Sequence, residues 1–253
     1  MTTIRKVAVA ALCTGAAVAG GIAAYNIIEK KKFIAVKSQI TKDLTVTAHT
    51  GSMGTKANSI ESIEVGAANA DIIEFDLNFL PDGTPVLSHN KPKGTECVTA
   101  SQAFEALSKC SGTLANVDVK TVANLPEVQR LAEEWGVLDR IFFTGVKMDF
   151  VEAVKRDCPK VSYYLNYNVD PAKNKSREYL ATLVETVRNC GAIGINTNFR
   201  LASKELVEYF HSENLLVSLW TARSNTQVYK ILSMLPDNIT TIKPDFVRTA
   251  IGR

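Results

Sequence analysis

Short apolar runs alternate with longer amphipathic segments along most of the chain. Eight runs of four to eight residues carry β-branched and aromatic side chains in a pattern typical of strands. These runs cover residues 44–48, 72–79, 115–119, 140–143, 161–165, 193–196, 215–220 and 239–242. Segments of helical period lie between them, at residues 58–68, 101–108, 125–134, 150–156, 176–189, 203–211 and 226–235.

The alternation of eight strands with helices predicts an α/β fold, the (β/α)8 TIM barrel. In such a barrel the functional side chains lie at the C-terminal ends of the strands. One further short run, residues 85–89, follows the turn Pro81-Asp-Gly-Thr84 and predicts a small strand that returns over the barrel mouth. The hydrophobic pattern therefore indicates where the chemistry should be sought.

Composition agrees with a single folded domain. Residues 41–253 are numerous enough to form one barrel with a large core, and no internal repeat or low-complexity tract marks a second domain. The net charge of +3 is small, so nothing indicates a nucleic-acid partner. We expect two parts, an N-terminal segment at residues 1–40 and a barrel at residues 41–253.

The N-terminal segment contains an uncharged stretch at residues 7–28, between Arg5-Lys6 and Glu29-Lys-Lys-Lys32. Its length is sufficient to span a bilayer. A signal peptide is the alternative, because the basic start and the small residues Ala17-Val-Ala19 fit a cleavage site. Either interpretation predicts a membrane-anchored or secreted protein whose barrel lies outside the cytoplasm.

Acidic side chains gather on two of the predicted strands. Glu74 and Asp76 are one residue apart, so both carboxylates leave the same face of their strand. Asp118 and Lys120 share a face of the next strand in the same way. Crowded carboxylates need a counter-charge, and a hard divalent cation such as Mg²⁺ or Ca²⁺ prefers oxygen ligands. The pattern predicts a divalent metal site beside a lysine, which suits an anionic substrate.

Two of the three histidines end short apolar runs, where a packed scaffold would hold their imidazoles in place. These are His49 and His89, and their placement suits proton transfer. The third, His211, lies on a predicted helix and is expected at the surface.

The residues around these side chains resemble the first catalytic region of the glycerophosphodiester phosphodiesterases. That family carries His-Arg-Gly, Glu-Asn-Thr, Gly-Ala-Asp, Glu-x-Asp, Asp-Gly and His-Asp in this order. The matching stretches here are His49-Thr-Gly51, Ala57-Asn-Ser59, Ala68-Asn-Ala-Asp71, Glu74-Phe-Asp76, Asp82-Gly83 and His89-Asn90. The resemblance continues through Asn116-Val-Asp-Val-Lys120 and Leu216-Val-Ser-Leu-Trp220-Thr to a closing strand with a Pro244-Asp245 turn, so it covers roughly residues 44–250.

The resemblance implies a metal-dependent phosphodiesterase that releases glycerol phosphate and an alcohol. It implies metal ligation by Glu74, Asp76 and Asp118, and a division of general base and general acid roles between His49 and His89. It further implies that Lys120 neutralises a phosphate oxygen and that Trp220 covers the alcohol part of the substrate.

Several positions depart from the family pattern. Thr50 replaces the arginine of His-Arg-Gly, which removes a bidentate phosphate donor. Asp118 stands where the family usually has glutamate, as in the related spider sphingomyelinase D group, and Ala57 and Asn90 replace acidic residues. The segment between His89 and the next helix is also short. These departures bear on the choice of substrate more than on the class of reaction.

Two alternatives therefore stay open. One is a phospholipase D-like enzyme that acts on lysophospholipid or sphingolipid, which Asp118, the short segment and the N-terminal stretch favour. The other is a barrel that binds phosphodiesters or a partner protein without turnover, which the loss of the arginine at Thr50 favours.

Overall fold

The computed structural model describes residue 21 and residues 23–253. Eight parallel strands close into a barrel in the order β1-β9-β8-β7-β6-β5-β4-β2, and β2 pairs again with β1. The barrel strands are β1 Thr45–Ala48, β2 Ile72–Phe79, β4 Leu114–Val119, β5 Ile141–Val146, β6 Tyr163–Asn166, β7 Gly194–Asn198, β8 Leu216–Ala222 and β9 Asn238–Thr241. The additional strand β3, Pro85–Leu87, runs antiparallel to β2. The predicted (β/α)8 barrel is confirmed.

Helices surround the barrel. Residues 23–36 form α1, and the following helices are α2 Ile60–Asn69, α3 Ala100–Lys109, α4 Leu125–Glu134, α5 Val151–Asp157, α6 Arg177–Cys190, α7 Lys204–Ser212, α8 Asn225–Leu232 and α9 Pro244–Ile251. Side-chain caps define several starts, because Ser59, Thr99, Ser203 and Ser224 each accept a backbone N–H of the first turn. The apolar sides of helices and strands form one continuous core, which fixes the strand ends that carry the site.

The predicted turn at Pro244-Asp245 is wrong. Pro244 is instead the first residue of α9, a position where its fixed φ and missing N–H suit a helix. Helices α2 to α8 and the eight barrel strands lie where the apolar pattern predicts them, with ends that differ by up to three residues, whereas α1 was not among the predicted helices. Strands β5 and β8 extend beyond their predicted ends, because Thr144, Val146 and Ala222 continue the pairing.

The helix α1 packs along the outside of the barrel. Phe33 is only 4% exposed, and its ring lies 5.1 Å from that of Tyr229 on α8. Residues 1–20 and 22 lie outside the described residues, so the predicted signal peptide or anchor and the division at residue 40 stay predictions. Among residues that the structure describes, no helix combines the length and apolarity needed to cross a membrane.

Candidate active site

One cavity at the C-terminal ends of the barrel strands is lined by all seven residues that the sequence analysis assigned to the site. We call this end of the barrel the mouth, and the end formed by the N-terminal ends of the strands the opposite end. The cavity has a volume of about 340 Å³. Its lining includes the predicted residues His49, Glu74, Asp76, His89, Asp118, Lys120 and Trp220. The fold thus brings together residues that are up to 171 positions apart in the sequence.

The carboxylates of Glu74, Asp76 and Asp118 form a tight cluster, with one oxygen of each within 4.8 Å of the others. Strand geometry produces it, because Glu74 and Asp76 point from one face of β2 and the β2–β4 register sets Asp76 beside Asp118. Burial, together with the charges of Asp76 and Asp118, raises the pKa of Glu74 well above its usual range. Burial also raises the pKa of Asp118. The negative charge of the cluster therefore exceeds the positive charge of the side chains around it.

Lys120 is the cation closest to this cluster. Its Nζ lies 2.8 Å from Oδ1 of Asp76 and 2.7 Å from Oδ2 of Asp118. Burial alone would lower the pKa of Lys120, but the charges of Asp118 and Asp76 outweigh burial and raise it. Burial would likewise raise the pKa of Asp76, yet Lys120, Asn58 and His89 hold it below its usual value. One ammonium thus serves two of the three carboxylates.

His49 follows the end of β1 with a defined orientation. Its Nδ1 donates to the carbonyl oxygen of Thr50 at 2.8 Å, and because a carbonyl can only accept, the proton lies on Nδ1. Burial and the nearby charge of Arg223 lower the pKa of His49. The neutral imidazole then has a free lone pair on Nε2, as a general base requires.

His89 stands on the other side of the cluster, just after β3. The backbone N–H of Ser88 donates to the carbonyl oxygen of Asp76 at 3.0 Å and fixes the start of this loop. The Nδ1 of His89 lies 3.2 Å from Oδ1 of Asp76. Its side chain is 68% exposed, in contrast to 26% for His49. The two imidazoles therefore differ in solvent access and in partner.

Thr50 does not take the place of the missing arginine as a phosphate ligand, because its side chain is buried outside the cavity. Its Oγ1 accepts the backbone N–H of Asn58 at 2.6 Å, and its own N–H donates to Oε2 of Glu74 at 2.7 Å. Asn58 in turn donates from Nδ2 to Oδ2 of Asp76 at 2.9 Å. Thr50 and Asn58 thus position two of the clustered carboxylates.

Two cations at the mouth were missed by the sequence analysis. Lys147 and Arg223 are exposed and line the cavity, and within the described residues neither has a carboxylate oxygen within 4.0 Å of its charged group. They directly follow β5 and β8, the two strands whose C-terminal ends were predicted too early. A correct strand end would have placed both at the mouth.

The side of the cavity formed by β6 and β7 is uncharged. Oδ1 of Asn166 accepts the N–H of Gly145 at 2.9 Å and Nδ2 of Asn196 at 2.8 Å. This arrangement fixes the amide of Asn196, whose buried Oδ1 has no partner among the described residues. The buried Nε1 of Trp220 is also without a partner there. An unpaired acceptor and an unpaired donor suit a ligand with hydroxyl groups.

Comparisons with known proteins agree with this geometry. The model of the glycerophosphoryl diester phosphodiesterase family matches residues 116–246, which include Asp118, Lys120 and Trp220 and begin after His89. A search of curated proteins found no match.

Solved structures share the fold at low identity. A glycerophosphodiester phosphodiesterase from Parabacteroides distasonis is 16% identical with a TM-score of 0.65, over 83% of this chain and 97% of that chain. A putative glycerophosphodiester phosphodiesterase from Galdieria sulphuraria is 18% identical with a TM-score of 0.68, over 83% and 98%. A phosphodiesterase from Oleispira antarctica, in complex with the product sn-glycerol-3-phosphate, is 17% identical with a TM-score of 0.64, over 82% and 96%. The chain belongs to the glycerophosphoryl diester phosphodiesterase family, and the protein is a phosphoric diester hydrolase.

Proposed function

We propose that the protein hydrolyses glycerophosphodiesters to glycerol phosphate and an alcohol in a reaction that needs a divalent metal ion. The observation that carries the proposal is the cluster of Glu74, Asp76 and Asp118 within 4.8 Å, with two histidines beside it. The product complex of the Oleispira antarctica phosphodiesterase supports a glycerol phosphate product.

The residues of the cluster fit Mg²⁺ or Ca²⁺. All three donors are carboxylate oxygens, the ligand type that hard cations prefer. Three ionised carboxylates and the one ammonium of Lys120 leave two negative charges, which a divalent cation neutralises. A metal ion bound to these oxygens supplies Lewis-acid polarisation of the phosphoryl group. The raised pKa of Glu74 supports this assignment, because the pocket disfavours its charge until a cation is present.

The two histidines divide proton transfer. His49 holds its proton on Nδ1 against the carbonyl of Thr50, so Nε2 accepts a proton from the attacking hydroxyl as general base. His89 is oriented through Nδ1 by Asp76, so its exposed Nε2 delivers a proton to the departing alcohol as general acid. Its greater exposure suits this task, because the alcohol leaves towards solvent.

Lys120, Arg223 and Asn196 bind the substrate. Lys120 sits at the cluster and stabilises charge on a phosphate oxygen in the transition state. Arg223, directly after β8, supplies a guanidinium in place of the arginine that is absent at Thr50. The unpaired Oδ1 of Asn196 accepts a hydroxyl of the glycerol, and Trp220 covers the alcohol.

Phosphorus NMR of glycerophosphocholine turnover tests the proposal. We expect glycerol phosphate to form with Mg²⁺ or Ca²⁺ and not in excess chelator, and we expect Asp118→Asn to be inactive in both conditions. The matched control is Asp237→Asn, which removes an aspartate charge at the opposite end and should leave turnover intact. Full activity in chelator would overturn the metal site.

A lipid-presented substrate such as a lysophospholipid is the second candidate. The exposure of His89 favours it, because a bulky phosphodiester reaches an open acid group more easily than an enclosed one. The same NMR experiment with micellar lysophosphatidylcholine separates the two, since only the preferred substrate class should reach saturation at low concentration. The presence of both histidines, the three carboxylates and Lys120 in one cavity argues against binding without turnover.

A further inference from the structure

We propose that the mouth of the barrel docks on a membrane surface rich in anionic lipids, with the N-terminal end of α1 as the apolar contact. This inference goes beyond the hydrolytic function and does not rest on it.

The first observation is the direction of α1. Near its start, Oδ1 of Asn26 accepts a hydrogen bond from Oγ1 of Thr226, which lies in the first turn of α8, directly after the mouth end of β8. Beyond its end, the chain reaches the opposite end of the barrel, where the Arg253 guanidinium donates to the carbonyls of Lys42 and Leu44. The helix therefore runs from the mouth to the opposite end, and its first residues lie on the mouth side.

The second observation is the apolar surface at this start of α1. Ile27 is 56% exposed, Ile28 49% and Tyr25 44%, whereas Phe33 and Glu29 on the barrel side are each 4% exposed. These three side chains continue the uncharged stretch that precedes them. Neighbouring exposed side chains of this size mark an interaction surface, and here they lie beside the mouth.

The third observation is the distribution of charge between the two ends. The segments that connect a strand to the next helix, all at the mouth, contain ten basic and four acidic residues, a net charge of +6, which the three clustered carboxylates on β2 and β4 lower to +3. The basic residues are Lys56, Lys91, Lys93, Lys120, Lys147, Lys173, Lys175, Arg200, Arg223 and Lys243, and the acidic ones are Asp82, Glu96, Asp149 and Asp170. The segments at the opposite end contain five basic and five acidic residues.

A lipid surface explains this distribution better than a small substrate does. Seven of the ten basic residues lie outside the cavity, so they do not serve a single phosphodiester inside it. An extended layer of anionic headgroups attracts them together. The apolar contact of Ile27 and Ile28 then reaches the boundary between headgroups and acyl chains, which nucleic acids do not offer.

The two native tryptophans report the orientation of the full chain on vesicles. Trp220 lies at the mouth, and Trp135 follows α4, whose ten residues span about 15 Å towards the opposite end. Variants Trp135→Phe and Trp220→Phe each keep one tryptophan. We expect energy transfer to dansyl-labelled headgroups, on phosphatidylglycerol–phosphatidylcholine vesicles, to be higher from Trp220 than from Trp135. Equal transfer, or higher transfer from Trp135, would overturn the proposed orientation.

A pair of surface variants tests the apolar contact. In the variant that keeps only Trp220, the double substitution Ile27→Asp and Ile28→Asp should lower energy transfer from Trp220 to the level measured from Trp135. The matched control is Ile34→Asp, on the same helix and 58% exposed but further from the mouth, which should retain it. The melting temperature of each variant should equal that of the parent, which verifies that the fold is intact. If the higher transfer from Trp220 survives the double substitution, the apolar contact is overturned. If it is as large on pure phosphatidylcholine vesicles, the preference for anionic lipid is overturned.

Discussion

Each end of the barrel carries a histidine–aspartate pair, and the two pairs have different surroundings. At the mouth, Nδ1 of His89 lies 3.2 Å from Oδ1 of Asp76. At the opposite end, Nε2 of His211 lies 2.9 Å from Oδ2 of Asp237. Asp237 also accepts the N–H of Val217 at 2.7 Å and thereby ties α7 to the start of β8. Asp76 instead shares its space with two further carboxylates.

The comparison shows that crowding of charge, and not residue type or cavity size, separates the two ends. The opposite end contains the larger cavity, about 520 Å³, lined by His211, Asp237 and several leucines. Within the described chain, however, the acids at the mouth form the one group of three that is close enough to hold a metal ion. Polar groups with satisfied partners contribute stability, whereas a cluster with more negative than positive charge is suited to bind a cation.

The largest expected effect is on Glu74 at the mouth. Glu74→Gln should lower kcat/KM by about 10³-fold or more, because loss of metal-assisted charge stabilisation is worth several kcal/mol. In chelator the same variant should melt at a higher temperature than the parent, since it removes a buried and crowded charge. Kinetics in the presence of metal measure the loss of kcat/KM, and calorimetry in chelator measures the change in melting temperature. A lower melting temperature would contradict the account of crowding.

Replacement of the histidines should have the next largest effect, and only at the mouth. His49→Ala and His89→Ala should each lower turnover by about 10² to 10⁴-fold, the usual scale for acid–base groups. His211→Ala, the matched change at the opposite end, should leave kcat unchanged. Near-normal turnover after replacement of His49 or His89 would contradict the role of that histidine in proton transfer.

Asn196 sharpens the comparison within the mouth itself. Asn196→Ala removes the unpaired acceptor and should raise KM for glycerophosphocholine by about tenfold, the scale of one hydrogen bond. The matched control is Asn189→Ala, an exposed asparagine on α6. Equal KM values for both variants and the parent would show that the substrate makes no bond to Asn196.

The smallest effect concerns pH and the opposite end. The hydrogen bond to Asp237 raises the pKa of His211 above 6.5, so its stabilising contribution is complete below about pH 6.5 and disappears as the pH rises through the folded pKa. After allowance for solvent screening it is less than about 1 kcal/mol. His211→Gln should therefore lower the melting temperature by at most a few degrees at about pH 5.5, and by nothing at about pH 9. A loss that grows with pH would contradict this sign.

Local periodicity explains what the sequence could predict about the site. Glu74 and Asp76 share a face because strand side chains alternate, and Asp118 joins them because adjacent parallel strands are in register. His89 was placed over the mouth by a recognisable turn before β3. These features depend on neighbours in sequence or on the regular geometry of the barrel.

Features that depend on long-range packing were beyond the sequence. The unpaired oxygen of Asn196 results from its contact with Asn166 on a neighbouring strand, thirty residues away. Arg223 and Lys147 were missed because strand ends are set by tertiary pairing. The direction of α1 follows from a contact 200 residues apart, between Asn26 and Thr226. No hydrophobic pattern contains this information.

Direct titration of divalent metal ion tests the central claim, that crowded carboxylates distinguish the mouth. Calorimetry of the metal-free protein with Mg²⁺ or Ca²⁺ should show one site, release of protons from the cluster, and loss of that site in Glu74→Gln and in Asp118→Asn. Asp237→Asn, which removes the same charge from the opposite end, should bind metal as the parent does. Binding that survives both mouth variants, or that is lost with Asp237, would contradict the account.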